Sequence, residues 1–321
     1  MQRNPFNIPS FKQNWQEFSL AHGRYFFVLA ALGLCFFPSK HTADTQISFD
    51  TPFIQGSLVN AGELILLDTE LPLMLDKRSF SKIQGTSFKM AAAGLYSPDT
   101  VYIHYTEPPK SNWRESLRSY FRGPKNNWFK QALRVNKPDL DQSEDLRLPS
   151  TVIKKLESAS DLQKKKDRMK TREVLSRRTG DVTKLCFKKP VRNIRTSKYG
   201  SPRTLPSGRQ YYHSGVDLRA WTGASIYSAG SGIVALAELM IVPGNNVIID
   251  HGGGLFSRYM HFSEITTEAG ARTIAGTRIG KSGTTGRSNA PHLHWEMIWK
   301  GTRINPLQFV KAWDSVCLNS I

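Results

Sequence analysis

The chain has 321 residues, 39% of them hydrophobic, and its 44 Lys and Arg against 26 Asp and Glu leave a formal charge of +18. That length argues against one small compact core, so two folded units with connecting segments are expected. A charge so far from neutral suits a polyanionic setting, whether nucleic acid, acidic lipid or cell-wall polymer, and does not by itself choose among them.

Residues 25–38 (YFFVLAALGLCFFP) are apolar and uncharged, with Arg3, Lys12 and Arg24 before them against one acid, Glu17. As a helix this segment rises only ~21 Å, short of the ~30 Å hydrocarbon core of a bilayer. It reads as an export signal or short membrane anchor over residues 1–38, with the rest of the chain outside the cytoplasm. Cys35 makes only a loose lipoprotein box, because Leu34 stands where a small residue is wanted.

Residues 39–106 read as a small β domain built from the runs at 47–49, 64–67 and 101–105, with no catalytic cluster. Residues 107–180 read as a linker and basic helix. The stretch to Pro149 is irregular; Ser150 caps a helix running to around Arg178 and ended by Gly180. Val152, Ile153, Leu156 and Leu162 form its narrow apolar stripe, and clusters such as Lys164-Lys165-Lys166 suit a solvated face.

From residue 181 to 321 short β-rich runs alternate with Gly-rich turns, which predicts an antiparallel, sandwich-like β domain. The fold class is therefore mainly β with a helical connector. Cys186 and Cys317 bracket this domain, either as a disulfide or as two buried thiols, and no CxxC pair suggests a cysteine-ligated metal.

Five of the eight histidines fall between 213 and 294. In His213-Ser214-Gly215-Val216-Asp217, an extended chain points His213 and Asp217 the same way. In His292-Leu293-His294 the i, i+2 spacing does the same for two imidazoles. Two imidazoles and one carboxylate suit a three-ligand zinc site whose fourth position is left to water. Further histidines could move the proton of that water and stabilise an oxyanion. His261 is such a candidate, whereas His251, at a strand-to-turn boundary, is expected to be structural.

The tracts Tyr212–Leu218, Val247–Gly252, Tyr259-Met260-His261, Ile279–Gly286, Pro291–Glu296 and Asn305-Pro306 occur in an order that resembles the lysostaphin/LytM-type zinc metallopeptidases. The resemblance spans about a third of the chain and implies a peptidoglycan endopeptidase. It also implies His213, Asp217 and His294 as zinc ligands, His292 as general base, and His261 as an aid to water activation or oxyanion stabilisation. The N-terminal part resembles, more faintly, the lead domain of exported Gram-negative members, which implies diaminopimelate-type cross-links and a periplasmic or cell-envelope location.

Arg219-Ala220-Trp221 departs from the family pattern, and Arg219 is read equally as a contact for a substrate carboxylate or for a neighbouring acid. A non-catalytic regulator that activates other wall hydrolases is the alternative, but such relatives usually lose ligand residues that are all present here. A regulatory partner protein is compatible with either reading, and specific nucleic-acid binding ranks last because it leaves the ordered His/Asp set unexplained. The connector is long enough to fold over the cleft and hold an enzyme inactive.

Overall fold

The computed structural model describes residues 57–68, 73–75, 78–79, 81–82, 88–106, 128–180 and 186–318. The apolar segment 25–38 and the run at 47–49 lie outside the described residues. Among those described, no helix is long and apolar enough to cross a membrane.

The N-terminal unit contains β1 (Ser57–Asn60), β2 (Leu64–Asp68), β3 (Leu73–Leu75), β4 (Arg78–Ser79), β5 (Ser81–Lys82), β6 (Phe88–Ala92), β7 (Thr100–Thr106) and β8 (Trp128–Asn136). One sheet runs β1-β8-β7-β3-β4 and a second runs β2-β6-β5. Val59, Val101, Ile103, Leu133 and Val135 form the core of this unit. β8 lies inside the stretch read from sequence as an irregular linker, so the β unit extends to Asn136. Its signal is weak because buried Leu133 and Val135 alternate with exposed Ala132, Arg134 and Asn136 in a segment with no apolar run. The strand is defined by its partners, antiparallel β7 and parallel β1.

The single basic helix expected from Ser150 is two helices, α1 (Ser150–Ser158) and α2 (Asp161–Ser176). Ala159 and Ser160 between them are extended, with ψ of 131° and 130°, and Pro149 rather than Ser150 precedes the first helical residue. The expected stripe is not buried: α1 buries nothing, and Leu162 remains 61% exposed. Contact with the body is made by Val174 and Leu175, late in α2, against Leu236, Met240, Ile248, Phe256 and Ile298. Just before α1, β9 (Glu144–Asp145) pairs in parallel with β11 (Pro202–Thr204), which itself pairs with β12 (Gln210–Tyr212).

The C-terminal domain is built on a large antiparallel sheet whose path is β10 (Arg195–Ser197), β13 (Val216–Arg219), β20 (His292–Trp299), β17 (Leu255–Ile265), β16 (Gly244–Asp250), β15 (Gly232–Met240) and β18 (Arg272–Thr273). β14 (Ser225–Tyr227) pairs with β19 (Arg278–Ser282), β21 (Thr302–Ile304) closes on β20, and α3 (Pro306–Leu318) follows. Strand alternation gives this sheet two unlike faces. Leu293, Trp295, Met297 and Trp299 of β20 enter a core with Tyr259, Val247, Leu218 and the α3 residues Phe309 and Trp313. Burial of this face supplies most of the apolar area that holds the domain, at about 25 cal/mol per Å² removed from water.

The opposite face changes character along one strand. Ile298 packs under α2, Glu296 is a buried carboxylate, and His294 and His292 open into a cleft. Cys186 and Cys317 are disulfide-bonded across 131 residues, which decides between the two readings of that pair. The N-terminal unit is fastened to this domain. Met90 and Ala92 join its core, the Tyr199 hydroxyl donates to the Arg303 carbonyl at 2.8 Å, and the Asn305 amide donates to the Gly62 carbonyl at 2.7 Å. Gly62 has φ +87°, and a Cβ there would stand 2.2 Å from the Tyr199 ring, so only glycine fits.

Candidate metal centre

Strand register brings together residues far apart in sequence. Asp217 lies opposite His294 and Arg219 opposite His292 across the β13–β20 pair, while Met260 of β17 faces His294 from the other side. His213 arrives differently from the single extended strand expected: β13 begins only at Val216, and His213 lies before it, beyond β12, with a bend at Gly215 between. Gly215 at this bend presses on the Trp295 carbonyl, where a Cβ would come within 2.3 Å. The close approach carries the His213 ring, 1% exposed, to the flank of Asp217.

The three groups converge tightly. His213 Nε2 is 3.0 Å from Asp217 Oδ1 and 2.9 Å from His294 Nδ1, and His294 Nδ1 is 2.9 Å from the same Asp217 oxygen. The surroundings fix the tautomers. His213 Nδ1–H donates to the Lys198 carbonyl at 2.7 Å, so Nε2 of the neutral ring carries a bare lone pair. His294 Nε2 faces Glu296 Oε1, an acceptor, at 3.4 Å, which leaves its Nδ1 lone pair pointing inward. Two lone pairs and a carboxylate aimed at one point fit a cation, and His213, Asp217 and His294 could hold one metal ion. Asp217 Oδ2 accepts from Arg203 Nη2 at 2.8 Å, which fixes the plane of the carboxylate.

Burial and neighbouring charges act differently on the three groups. Burial pushes the His213 pKa down, only partly opposed by Asp217. For Asp217, burial would raise the pKa, but the adjoining His213 and His294 rings hold it well below the usual carboxylate range. His294 is buried too, yet Asp217 and Glu296 outweigh the desolvation and raise its pKa.

His292 and His261 flank the cluster without joining it. His292 Nδ1–H donates to the Ala290 carbonyl at 2.7 Å, and its Nε2 lies 3.5 Å from Asp217 Oδ1. His261 Nδ1–H donates to the Thr285 carbonyl at 2.8 Å, and its ring centroid is 5.0 Å from that of His292. Burial lowers both pKa values, further for His261, where His292 and His294 add to the effect. His261 sits at a register shift between β16 and β17 and has φ +67°, a left-handed conformation unusual outside glycine. Its amide donates to the Pro243 carbonyl at 3.0 Å, so the bulge turns this side chain towards the histidines.

His251 stands apart from the cluster. Its Nδ1–H donates to the Ser231 carbonyl at 2.7 Å, Nε2 is 2.7 Å from the Ser257 hydroxyl, and Phe187 packs edge-on at 4.9 Å. Two other contributors carried no assigned role in the sequence reading: Arg203 and Glu296. Glu296 was within reach, being two residues beyond His294 in an alternating strand. Arg203 gave no signal, because its meeting with Asp217 depends on the β11–β12 hairpin.

The centre opens into a cleft of about 550 Å³ whose lining includes Trp221 and, from the connector, Leu146 and Leu148. The helices of the connector contribute nothing to that lining. The metal-ligand constellation and the β scaffold define a class. Residues 211–306 match the model of peptidase family M23.

Relatives locate it further. The chain is 36% identical over 135 residues to the peptidoglycan DD-endopeptidase ShyA of Vibrio cholerae, covering 41% of this chain and 31% of that protein. It is 34% identical over 95 residues to the DD-carboxypeptidase/endopeptidase Mpg of Neisseria meningitidis, covering 30% of this chain and 22% of that one. The chain thus spans less than a third of the length of these curated relatives. The fold is similar to that of a Pseudomonas aeruginosa protein assigned to peptidase M23, with TM-score 0.53 and 18% identity over 78% of this chain and 93% of that one.

Proposed function

We propose that this chain is an exported zinc endopeptidase that hydrolyses peptide cross-links in bacterial peptidoglycan. The observation that carries the proposal is the fixed tautomer set: His213 and His294 present lone pairs to the point that Asp217 Oδ1 also faces. Nitrogen and carboxylate donors in that number suit zinc with one open position. Held there, zinc would supply the Lewis acidity that makes water nucleophilic near neutral pH.

The chain's own residues do the rest. His292, with Nδ1–H committed to Ala290, offers Nε2 to take the proton of the attacking water and deliver it to the leaving amine. His261 is also committed through Nδ1–H, so its Nε2 accepts; this tautomer favours a part in water activation over donation to an oxyanion. Buried Glu296 orients His294, and Arg203 orients Asp217.

Cross-links of the diaminopimelate type are the proposed substrate, in keeping with the names of the DD-endopeptidase relatives. The disulfide suits an oxidising compartment such as the periplasm. A net charge of +18 would concentrate the protein on a polyanionic wall.

The test is digestion of purified cross-linked peptidoglycan by the zinc-loaded protein, beside chelated protein and His292→Ala, read by mass analysis of the released fragments. Cross-linked dimers are expected to disappear only with the intact, metal-loaded protein. His292→Ala should bind zinc stoichiometrically and lose roughly 10²–10⁴-fold in rate. Zinc bound one to one with no release of fragments would reject the enzyme and favour a regulator of other hydrolases.

A further inference from the structure

The cleft is strongly unbalanced in charge. Five arginines line it, Arg203, Arg219, Arg258, Arg287 and Arg303, against two carboxylates, Asp217 and Glu296. Three of the five have hydrogen-bonded side-chain partners. Arg203 is bound to Asp217, Arg303 Nε lies 3.4 Å from Glu296, and Arg258 donates twice to Asn246 Oδ1, at 3.2 and 3.1 Å. Arg219 and Arg287 have no carboxylate partner among the described residues.

Arg287 is held in place, whereas Arg219 is exposed at the edge of the cleft. Arg219 is the strand partner of His292 and, two residues after Asp217, shares the cleft face of β13. Arg287 lies over the Tyr211 ring at 5.2 Å, and its amide donates to the Val242 carbonyl at 2.8 Å. The next residue, Ser288, places its hydroxyl 3.3 Å from His292 Nδ1. Burial lowers the Arg287 pKa, and the nearby Arg209 and Arg203 push the same way. A half-buried guanidinium among other cations, without an acid of its own, is an unsatisfied anion site. Arg219 is paired across the strands with His292, the residue assigned above to the leaving amine, and Arg287 lines the same cleft beside Ser288, which touches that histidine.

We infer that Arg219 and Arg287 form a carboxylate-reading subsite that selects peptides whose leaving residue carries a free α-carboxylate next to the scissile amide. The inference rests on the endopeptidase reading and deepens it by naming the substrate feature recognised. It also answers the question left by the sequence, because Arg219 has no neighbouring acid to neutralise it among the described residues. Guanidinium suits the task because its forked donors match a carboxylate in two parallel bonds, which a lysine cannot reproduce.

The experiment uses the zinc-loaded full chain and two synthetic peptides with a D-Ala–D-amino acid bond. One ends in a free α-carboxylate on the leaving residue, and in the other that carboxylate is amidated. The readout is the ratio of their kcat/KM values for wild type, Arg219→Gln, Arg287→Gln and Arg287→Lys, with thermal melts and zinc content measured on each. A charge-assisted contact predicts a wild-type ratio on the order of 10–100. Each Gln variant should lower this ratio several-fold, and Arg287→Lys should restore it only in part. Equal cleavage of both peptides by wild type would overturn the subsite and leave the endopeptidase standing. So would a large wild-type ratio that both Gln variants preserve. Cleavage of neither peptide, alongside intact peptidoglycan, would reject the endopeptidase reading and the subsite with it.

Discussion

Histidines in this domain divide by what their Nδ1 hydrogens do and where their Nε2 atoms look. His213, His261, His292 and His251 all give Nδ1–H to a backbone carbonyl, but only the first three direct Nε2 towards the cleft. His251 spends its Nε2 on Ser257, inside a network in which the Ser257 and Tyr259 hydroxyls are 2.9 Å apart and the Ala229 amide donates to Tyr259. Burial lowers its pKa to about 4. Below the unfolded value of 6.5 the unfolded chain therefore binds a proton that the folded chain refuses. Stability should fall as pH drops from about 6.5 to about 4, by at most about 3 kcal/mol from this group, and level off below that. Urea unfolding at several pH values, wild type against His251→Gln, checks this: the variant should show a shallower acid slope. An unchanged slope would mean that His251 is not the titrating group.

Among the elements, α2 joins the body through polar and apolar side chains together. Asp167 accepts from the Ile241 amide, Lys170 pairs with Glu238 and Thr171 meets Met240, while Val174 and Leu175 cover the apolar end of the site-bearing face. Leu175→Ala should cost about 2–3 kcal/mol, read as a lower urea midpoint at unchanged slope. An unchanged midpoint would show that α2 is not anchored there. A fragment beginning at residue 181 would bare Leu236, Ile248, Phe256 and Ile298, so its behaviour could not isolate masking of the cleft by the connector. Substitution of Leu146 and Leu148, which line the cleft, addresses masking directly.

The same elements show what sequence can carry. The β20 alternation and the i, i+2 pair of histidines were legible because strand periodicity is local. Strand β8 and the Arg203–Asp217 contact were not, because each is decided by partners distant in the chain, whereas the break at Ala159-Ser160 is local, with Ser160 at the N-cap of α2 ahead of Asp161. His213 and Asp217 meet as the spacing predicts, although the strand is not continuous between them: a bend at Gly215, pressed against the Trp295 carbonyl, interrupts it.

At the scale of the whole molecule, the disulfide and the Gly62–Tyr199 contact tie the chain together from both ends. Cys186–Cys317 closes a loop across 131 residues and fastens the C-terminal end of α3 to the start of the domain. Chain-entropy arguments put its contribution at about 5 kcal/mol, with measured native disulfides commonly about 2–5 kcal/mol. Unfolding with and without reductant should show a clear drop in midpoint on reduction. Coincident curves would indicate that the C-terminal helix is held by its packing, Phe309 and Trp313 included, rather than by the disulfide. Neither unit is an independent bead, since Met90 and Ala92 of the first complete the core of the second.

The two-faced strand β20 also limits which changes in chain length a lineage could accept. Deleting one residue within His292–Trp299 would shift everything beyond it by one place and exchange the two faces from that point. Deleting Leu293 would move His294 into the core position of that leucine and place the Trp295 indole where the His294 imidazole faces Asp217. Insertions are therefore expected to survive only outside this strand, in the turn before Pro291 or after Lys300, where no face has to be kept.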